Sequence, residues 1–93
     1  MDIIEIIKGE KTAFVDVRST AEYSSGHIEG AKNIPLDQIP FRTEEIESLG
    51  SPIVFYCLSG GRSGQAVSFL KQKGFDNIYN GGGFNQVLSL KNK

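Results

Sequence analysis

At 93 residues the chain is long enough for one domain with a modest core and too short for two. Its 39% hydrophobic and 23% charged content is that of an ordinary folded domain, and a net charge of -1 draws it toward neither nucleic acid nor an anionic membrane surface. A single cysteine excludes an internal disulfide and makes no metal site by itself, and no apolar run approaches the roughly 20 residues of a membrane-spanning helix.

The start, Met1-Asp2-Ile3-Ile4-Glu5, has neither the basic nor the long apolar segment of an export signal. With a free thiol in the chain, the expected compartment is the reducing cytoplasm; a leader cleaved ahead of this sequence stays open. Ile3, Ile4, Ile6 and Ile7 recur at helical spacing and Gly9 stops them. That predicts an amphipathic helix over residues 2–8 covering one face of a sheet. Thr12–Val17 reads as an apolar strand with Asp16 near its C-terminal end. Ser19-Thr20-Ala21-Glu22 is a capping-box pattern, so Glu22 has a structural explanation in reaching back to Ser19. Asp16 and Arg18 flank the strand end, the edge where an open parallel sheet carries its ligand cleft. An ion pair or backbone clamp fixing that loop is the expectation for both.

Gly26–Ala31 is turn-rich, and Asn33-Ile34-Pro35 predicts a short strand ending at proline. His27 is the only histidine and the obvious general base for a thiol. It lies between two glycines in a connecting segment, and a structural role is expected instead. Leu36–Phe41 reads as a loop with a partial turn, broken by Pro40. Thr43–Leu49 reads as a short helix capped by Thr43, its acids in the first turn forming a solvated face.

Ile53–Tyr56 is apolar, β-branched and aromatic, introduced by Pro52 and free of charge, as a buried strand is. The only cysteine, Cys57, follows directly. A loop containing Gly60 and Gly61 closes on Arg62, and a helix continues with Ala66, Val67, Phe69 and Leu70 on one stripe, Lys71 and Lys73 near its end and Gly74 as a stop. A strand–loop–helix unit aims the N–H groups of its loop and first helical turn at one point, where the helix dipole is positive. Cys57 is therefore expected at the mouth of an anion cradle that favours thiolate. Asn77-Ile78-Tyr79 reads as a last short strand. Gly81-Gly82-Gly83 lacks the continuation of a phosphate loop and is expected to give close backbone approach beside the cysteine loop. A terminal helix runs through Val87, Leu88 and Leu90. Strands near 12–17, 33–34, 53–57 and 77–79 alternate with helices. The fold class expected is α/β, a small parallel sheet of four to five strands with helices on both faces and right-handed crossovers.

Cys57-Leu58-Ser59-Gly60-Gly61-Arg62-Ser63 resembles the active loop of rhodanese-like sulfurtransferases, Cys-x-x-Gly-x-Arg-Ser/Thr. Asp16-Val17-Arg18, Glu22-Tyr23, the Gly26-His27-Ile28 to Asn33-Ile34-Pro35 stretch and the glycine cluster are similar to further family signatures, so the resemblance spans most of residues 1–93 as one domain. Many members carry a Trp after those glycines; this chain has none, and Phe84 or Val87 is expected to fill that apolar place. The resemblance implies sulfur transfer. Cys57 would take sulfur from an anionic donor such as thiosulfate as a persulfide and pass it to cyanide or a thiol, including a protein thiol, with no metal or organic cofactor. It implies substrate binding by Leu58, Ser59, Gly60, Gly61, Arg62 and Ser63, a place for Arg18 near the substrate, and structural roles nearby for Asp16, Glu22 and Gly82. A monomer without nucleic-acid or membrane partners is expected. Arg62 also has a plainer reading as a clamp on carbonyls or an acidic side chain. Two other uses of the loop compete: a non-catalytic docking or regulatory domain, and a cysteine phosphatase. The phosphatase loop has five residues between Cys and Arg, whereas four separate Cys57 from Arg62 here.

Overall fold

The computed structural model describes residues 2–92. Helix α1 (Ile3–Lys8) starts at Asp2, whose carboxylate accepts the Ile4 N–H, and ends at Gly9. There follow β1 (Ala13–Asp16), α2 (Thr20–Ser24), β2 (Lys32–Asn33), a 3-10 turn (Leu36–Phe41), α3 (Thr43–Glu47), β3 (Ile53–Cys57), α4 (Gly61–Gln72), β4 (Ile78–Gly83) and α5 (Phe84–Lys91). The four strands form one parallel sheet in the order β2-β1-β3-β4. The uncharged strand β3 is buried at every position and takes a central place. The chain builds outward from β1 to β2, then returns to start β3 on the other side. The C-terminal ends of β1 and β3 therefore flank the point where strand order reverses, the usual place for a ligand cleft.

The two-residue period of β3 divides the core. Ile53, Phe55 and Cys57 join Ile39, Ile46, Ala66, Val67 and Leu70 on the face covered by the 3-10 turn, α3 and α4. Val54 and Tyr56 join Ile6, Ile7, Phe14 and Val87 on the opposite face, under α1 and α5. Helices thus cover both faces, and the cysteine points toward α4.

Several boundaries differ from the sequence expectations. β2 is Lys32–Asn33, one residue earlier, because the partners of Val15 and Asp16 set its register; Ile34 still donates its N–H to the Asp16 carbonyl at 3.0 Å. Pro40 does not break the segment after β2, since its fixed φ suits a 3-10 turn that needs only i→i+3 bonds. Thr43 is the first residue of α3 and Arg42 stands at the cap without a side-chain cap bond. Glu45, in the acidic run, pairs with both Arg42 and Lys32. Ile4 faces outward while Ile6 and Ile7 are buried. The largest difference is β4, which runs through all three glycines to Gly83, with a register shift opposite Phe55 and Tyr56.

Candidate active site

Cys57 is the last residue of β3, and Leu58-Ser59-Gly60 turns the chain into α4. Gly60 has φ +100°, a region that favours glycine, and a Cβ there would stand 3.3 Å from the Gly82 Cα. This turn curls the backbone over the sulfur. The Gly60 N–H donates to Cys57 Sγ at 3.0 Å, the Ser63 N–H at 3.5 Å, and the Ser63 Oγ lies 3.4 Å away. Gly61 opens α4, so Arg62 and Ser63 belong to its first turn rather than to the loop. Cys57 is only 1% exposed and belongs to the core cluster, so the sulfur is enclosed rather than set at a mouth. Burial pushes its thiol up; hydrogen bonds from the Ser63 side chain and from the N–H groups of Ser63, Ser59 and Gly60 outweigh that and bring it down to about 7.

The two arginines near this edge are both held by carboxylates. The terminal nitrogens of Arg62 meet Glu22 Oε1 at 2.7 Å and Oε2 at 3.1 Å, joining α4 to α2. Glu22 also makes the expected capping box with Ser19. Its carboxyl is held at about 2, chiefly by Arg62 and then by the Ser19 N–H. Asp16 is fully buried and receives the Arg18 backbone N–H, Nε and Nη2; Arg18 Nη2 also reaches the Gly26 carbonyl at 2.7 Å. The Arg18 guanidinium lies 4.7 Å from the centre of the Phe84 ring and 5.7 Å from that of Tyr56. Val87 is fully buried, and the Phe84 ring lies against the Arg18 guanidinium. With both guanidinium charges balanced, the uncompensated positive groups at the sulfur are the backbone N–H groups of the loop and the start of α4.

The structure keeps His27 away from this arrangement. It is exposed, stacks on Tyr23 with ring centres 3.7 Å apart, and holds Nδ1 2.9 Å from the Tyr23 carbonyl. The glycine cluster does approach the loop, since a Cβ on Gly83 would lie 2.5 Å from the Leu58 carbonyl oxygen. The Leu58 side chain itself is exposed. Sequence reasoning missed Asn80. Its Nδ2 donates to the Gly60 carbonyl at 3.0 Å, while its Oδ1 accepts from the Ser63 hydroxyl at 2.7 Å and from the Gly82 N–H at 3.0 Å. One side chain on β4 thereby ties the cysteine loop, the first turn of α4 and the glycines together. Its only sequence signal was an amide residue next to glycine, which reads equally well as a turn.

A cavity of about 400 Å³ opens beside Arg62, lined by Val17, Ser19, Pro35, Leu36 and Asp37. Another of about 340 Å³ lies at the opposite end of β3, around Ile53, Gly74 and Ile78, and has no part in this chemistry. Among the described residues no cluster of three or more His, Cys, Asp or Glu side chains is placed to hold a metal ion, and no helix is long and apolar enough to cross a membrane.

Comparisons with known proteins identify the family of the chain. An uncharacterized protein, YqhL, of Bacillus subtilis is 44% identical over 75 residues, covering 80% of this chain and 59% of that protein. A sulfurtransferase of Allochromatium vinosum is 39% identical over 71 residues, 76% of this chain and 65% of its own length. The thiosulfate sulfurtransferase PspE of Escherichia coli is 32% identical over 81 residues, 86% and 78% of the two chains. The chain thus spans less than two thirds of the first two relatives. A solved structure of a rhodanese with anions from E. coli superposes with a TM-score of 0.74 at 32% identity, covering 81% of this chain and 89% of that one. Residues 2–89 match the Rhodanese-like domain, and the chain belongs to that family.

Proposed function

We propose that the protein is a sulfurtransferase that carries sulfane sulfur as a persulfide on Cys57, with thiosulfate or a similar anion as donor. The observation that carries this is the convergence of the Gly60 N–H, the Ser63 N–H and the Ser63 hydroxyl on the sulfur of the only cysteine. In the first step Cys57 thiolate attacks the outer sulfur of thiosulfate. An Sγ–S bond forms, the donor S–S bond breaks, and sulfite leaves with its electron pair. In the second step cyanide or an acceptor thiolate attacks the outer sulfur, the Sγ–S bond breaks, and Cys57 is again a thiolate. Neither step needs an external oxidant or reductant, and each is nucleophilic displacement at sulfur of the ping-pong kind. The N–H groups of Ser59, Gly60 and Ser63 stabilise anionic sulfur before and after transfer. Arg62 lines the 400 Å³ cavity, and since its pair with Glu22 is partly exposed, the share of its charge that Glu22 leaves unscreened steers the donor anion; Arg18 is clamped by Asp16 and the Gly26 carbonyl. The acceptor class is a thiol, including one on a protein, and a monomer in a reducing compartment suits a mechanism that begins from free thiolate.

Four residues between Cys57 and Arg62 disfavour phosphoryl transfer, for which this cradle is short. A purely docking domain would have no use for a depressed thiol. Intact mass after incubation with thiosulfate tests the reading. A gain of one sulfur, removed by cyanide and absent in Cys57→Ser, is expected. No gain, or the same gain in Cys57→Ser, overturns it.

A further inference from the structure

The Ser63 hydroxyl is fully buried and carries one hydrogen, yet two acceptors face it: Asn80 Oδ1 at 2.7 Å and Cys57 Sγ at 3.4 Å. The Asn80 amide can stand only one way round. The Gly82 N–H must donate, so the amide atom 3.0 Å from it is the oxygen; the Gly60 carbonyl must accept, so the atom 3.0 Å from it is the nitrogen. Asn80 therefore shows Ser63 an oxygen, at the ideal separation for an O–H···O bond, whereas the approach to sulfur is longer. A neutral thiol completes this chain, its S–H donating to Ser63 Oγ while the Ser63 O–H donates to Asn80. An anionic sulfur has no hydrogen to give and needs one. Turning the hydroxyl about its C–O bond supplies it without moving a heavy atom, and Asn80 Oδ1 keeps the Gly82 N–H as a partner.

We propose that Asn80 is a positioning residue for the sulfur chemistry: it holds the Ser63 hydroxyl hydrogen away from Cys57 when Sγ is uncharged and yields it when Sγ is anionic. The inference rests on the reading of Cys57 as the sulfur carrier. In the persulfide the charge sits on the outer sulfur, so the hydroxyl returns to Asn80; as the next transfer puts charge back on Sγ, the hydroxyl turns to meet it. Competition for one hydrogen also keeps the free thiolate from being held so firmly that it loses nucleophilicity.

Iodoacetamide alkylation against pH, in the parent and in a Ser63→Ala background, tests the device. Asn80→Ala removes the side-chain oxygen that competes with the sulfur for the hydroxyl hydrogen, so its alkylation midpoint should fall by roughly half to one pH unit, the scale of one net hydrogen bond. In the Ser63→Ala background the same change should leave the midpoint where it was. A side chain that only tethers the loop would, on removal, loosen the N–H groups and raise the midpoint in both backgrounds; that result overturns the proposal. If Asn80→Ala does not fold, the near-isosteric Asn80→Asp replaces it. The carboxylate grips the hydroxyl hydrogen, so the midpoint should rise more in the parent than in the Ser63→Ala background, and equal rises overturn the proposal. Mass gain from thiosulfate is read on the same samples. Sulfur loading with equal shifts sinks the Asn80 device alone, whereas expected shifts without loading sink the sulfur-transfer reading.

Discussion

Burial alone would keep the Cys57 thiol protonated well above neutral pH, and the donors gathered around Sγ reverse that, bringing it to about 7. The sign is the informative part. A thiol that was merely a core residue, as free cysteines often are, would be raised by the same enclosure. The alkylation rate with iodoacetamide should therefore rise through a midpoint near pH 7. Because Cys57 is almost wholly enclosed, the absolute rate should stay low at every pH, without moving the midpoint. Ser63→Ala removes one of the donors and should raise the midpoint while leaving the loop N–H groups in place. A parent midpoint at or above the free-cysteine value, roughly 8.5, would contradict the cradle.

The unit that sets those donors is the turn between β3 and α4, and its tolerances are small. Gly60→Ala forces a residue with a Cβ into a left-handed conformation, at about 1–2 kcal/mol, and pushes that Cβ toward the Gly82 backbone. A displacement of the Gly60 N–H by about 1 Å can lower transfer on the order of a hundredfold. The expected result is a large loss of thiosulfate-to-cyanide transfer with an unchanged circular dichroism spectrum. Inserting one residue between Ser59 and Gly60 should likewise lower sulfur transfer while hydrolysis of small aryl phosphates stays negligible. A parent that hydrolyses aryl phosphate faster than it transfers sulfur would refute the loop-length reading. Much of this unit was legible in the sequence, since a charge-free run ending in Cys followed by small residues permits few structures. The Ser19–Glu22 cap was legible for the same reason: it is a local pattern. What stayed hidden depends on neighbours far along the chain. β4 carries its glycines within the strand because β3 comes so close that a Cβ on Gly81 would meet Val54, and a run of glycines alone says loop. Asn80 matters only once β4 lies against the start of α4, a juxtaposition no local pattern encodes. The Arg62–Glu22 pair, 40 positions apart, is of the same kind.

On the scale of the whole molecule, two carboxylates bridge separate elements: Glu22 between α2 and α4, and Glu45 between α3, Arg42 and the Lys32 of β2. Both are held at about 2, Glu22 chiefly by Arg62 and Glu45 chiefly by Arg42. A carboxylate depressed on folding adds stability that is fully present above its unfolded value, near 4.5, and is lost as pH falls through its folded value, near 2. Stability should thus be flat in this respect above about pH 5 and decline between about 4.5 and 2. Both pairs are partly exposed, so each contributes modestly. Glu22→Gln and Glu45→Gln should each make the acid decline shallower, read as denaturant midpoint against pH. They should part company in function. Glu22→Gln leaves the Arg62 charge unbalanced in the cavity it lines, so the KM for thiosulfate should fall several-fold at low salt, with the difference fading as ionic strength rises. Glu45→Gln, whose partners are Arg42 and Lys32 rather than Arg62, should leave that KM unchanged. Equal KM changes in the two variants, or a Glu22→Gln effect indifferent to salt, would mean that Arg62 does not steer the donor and that its pair with Glu22 only fastens α2 to α4.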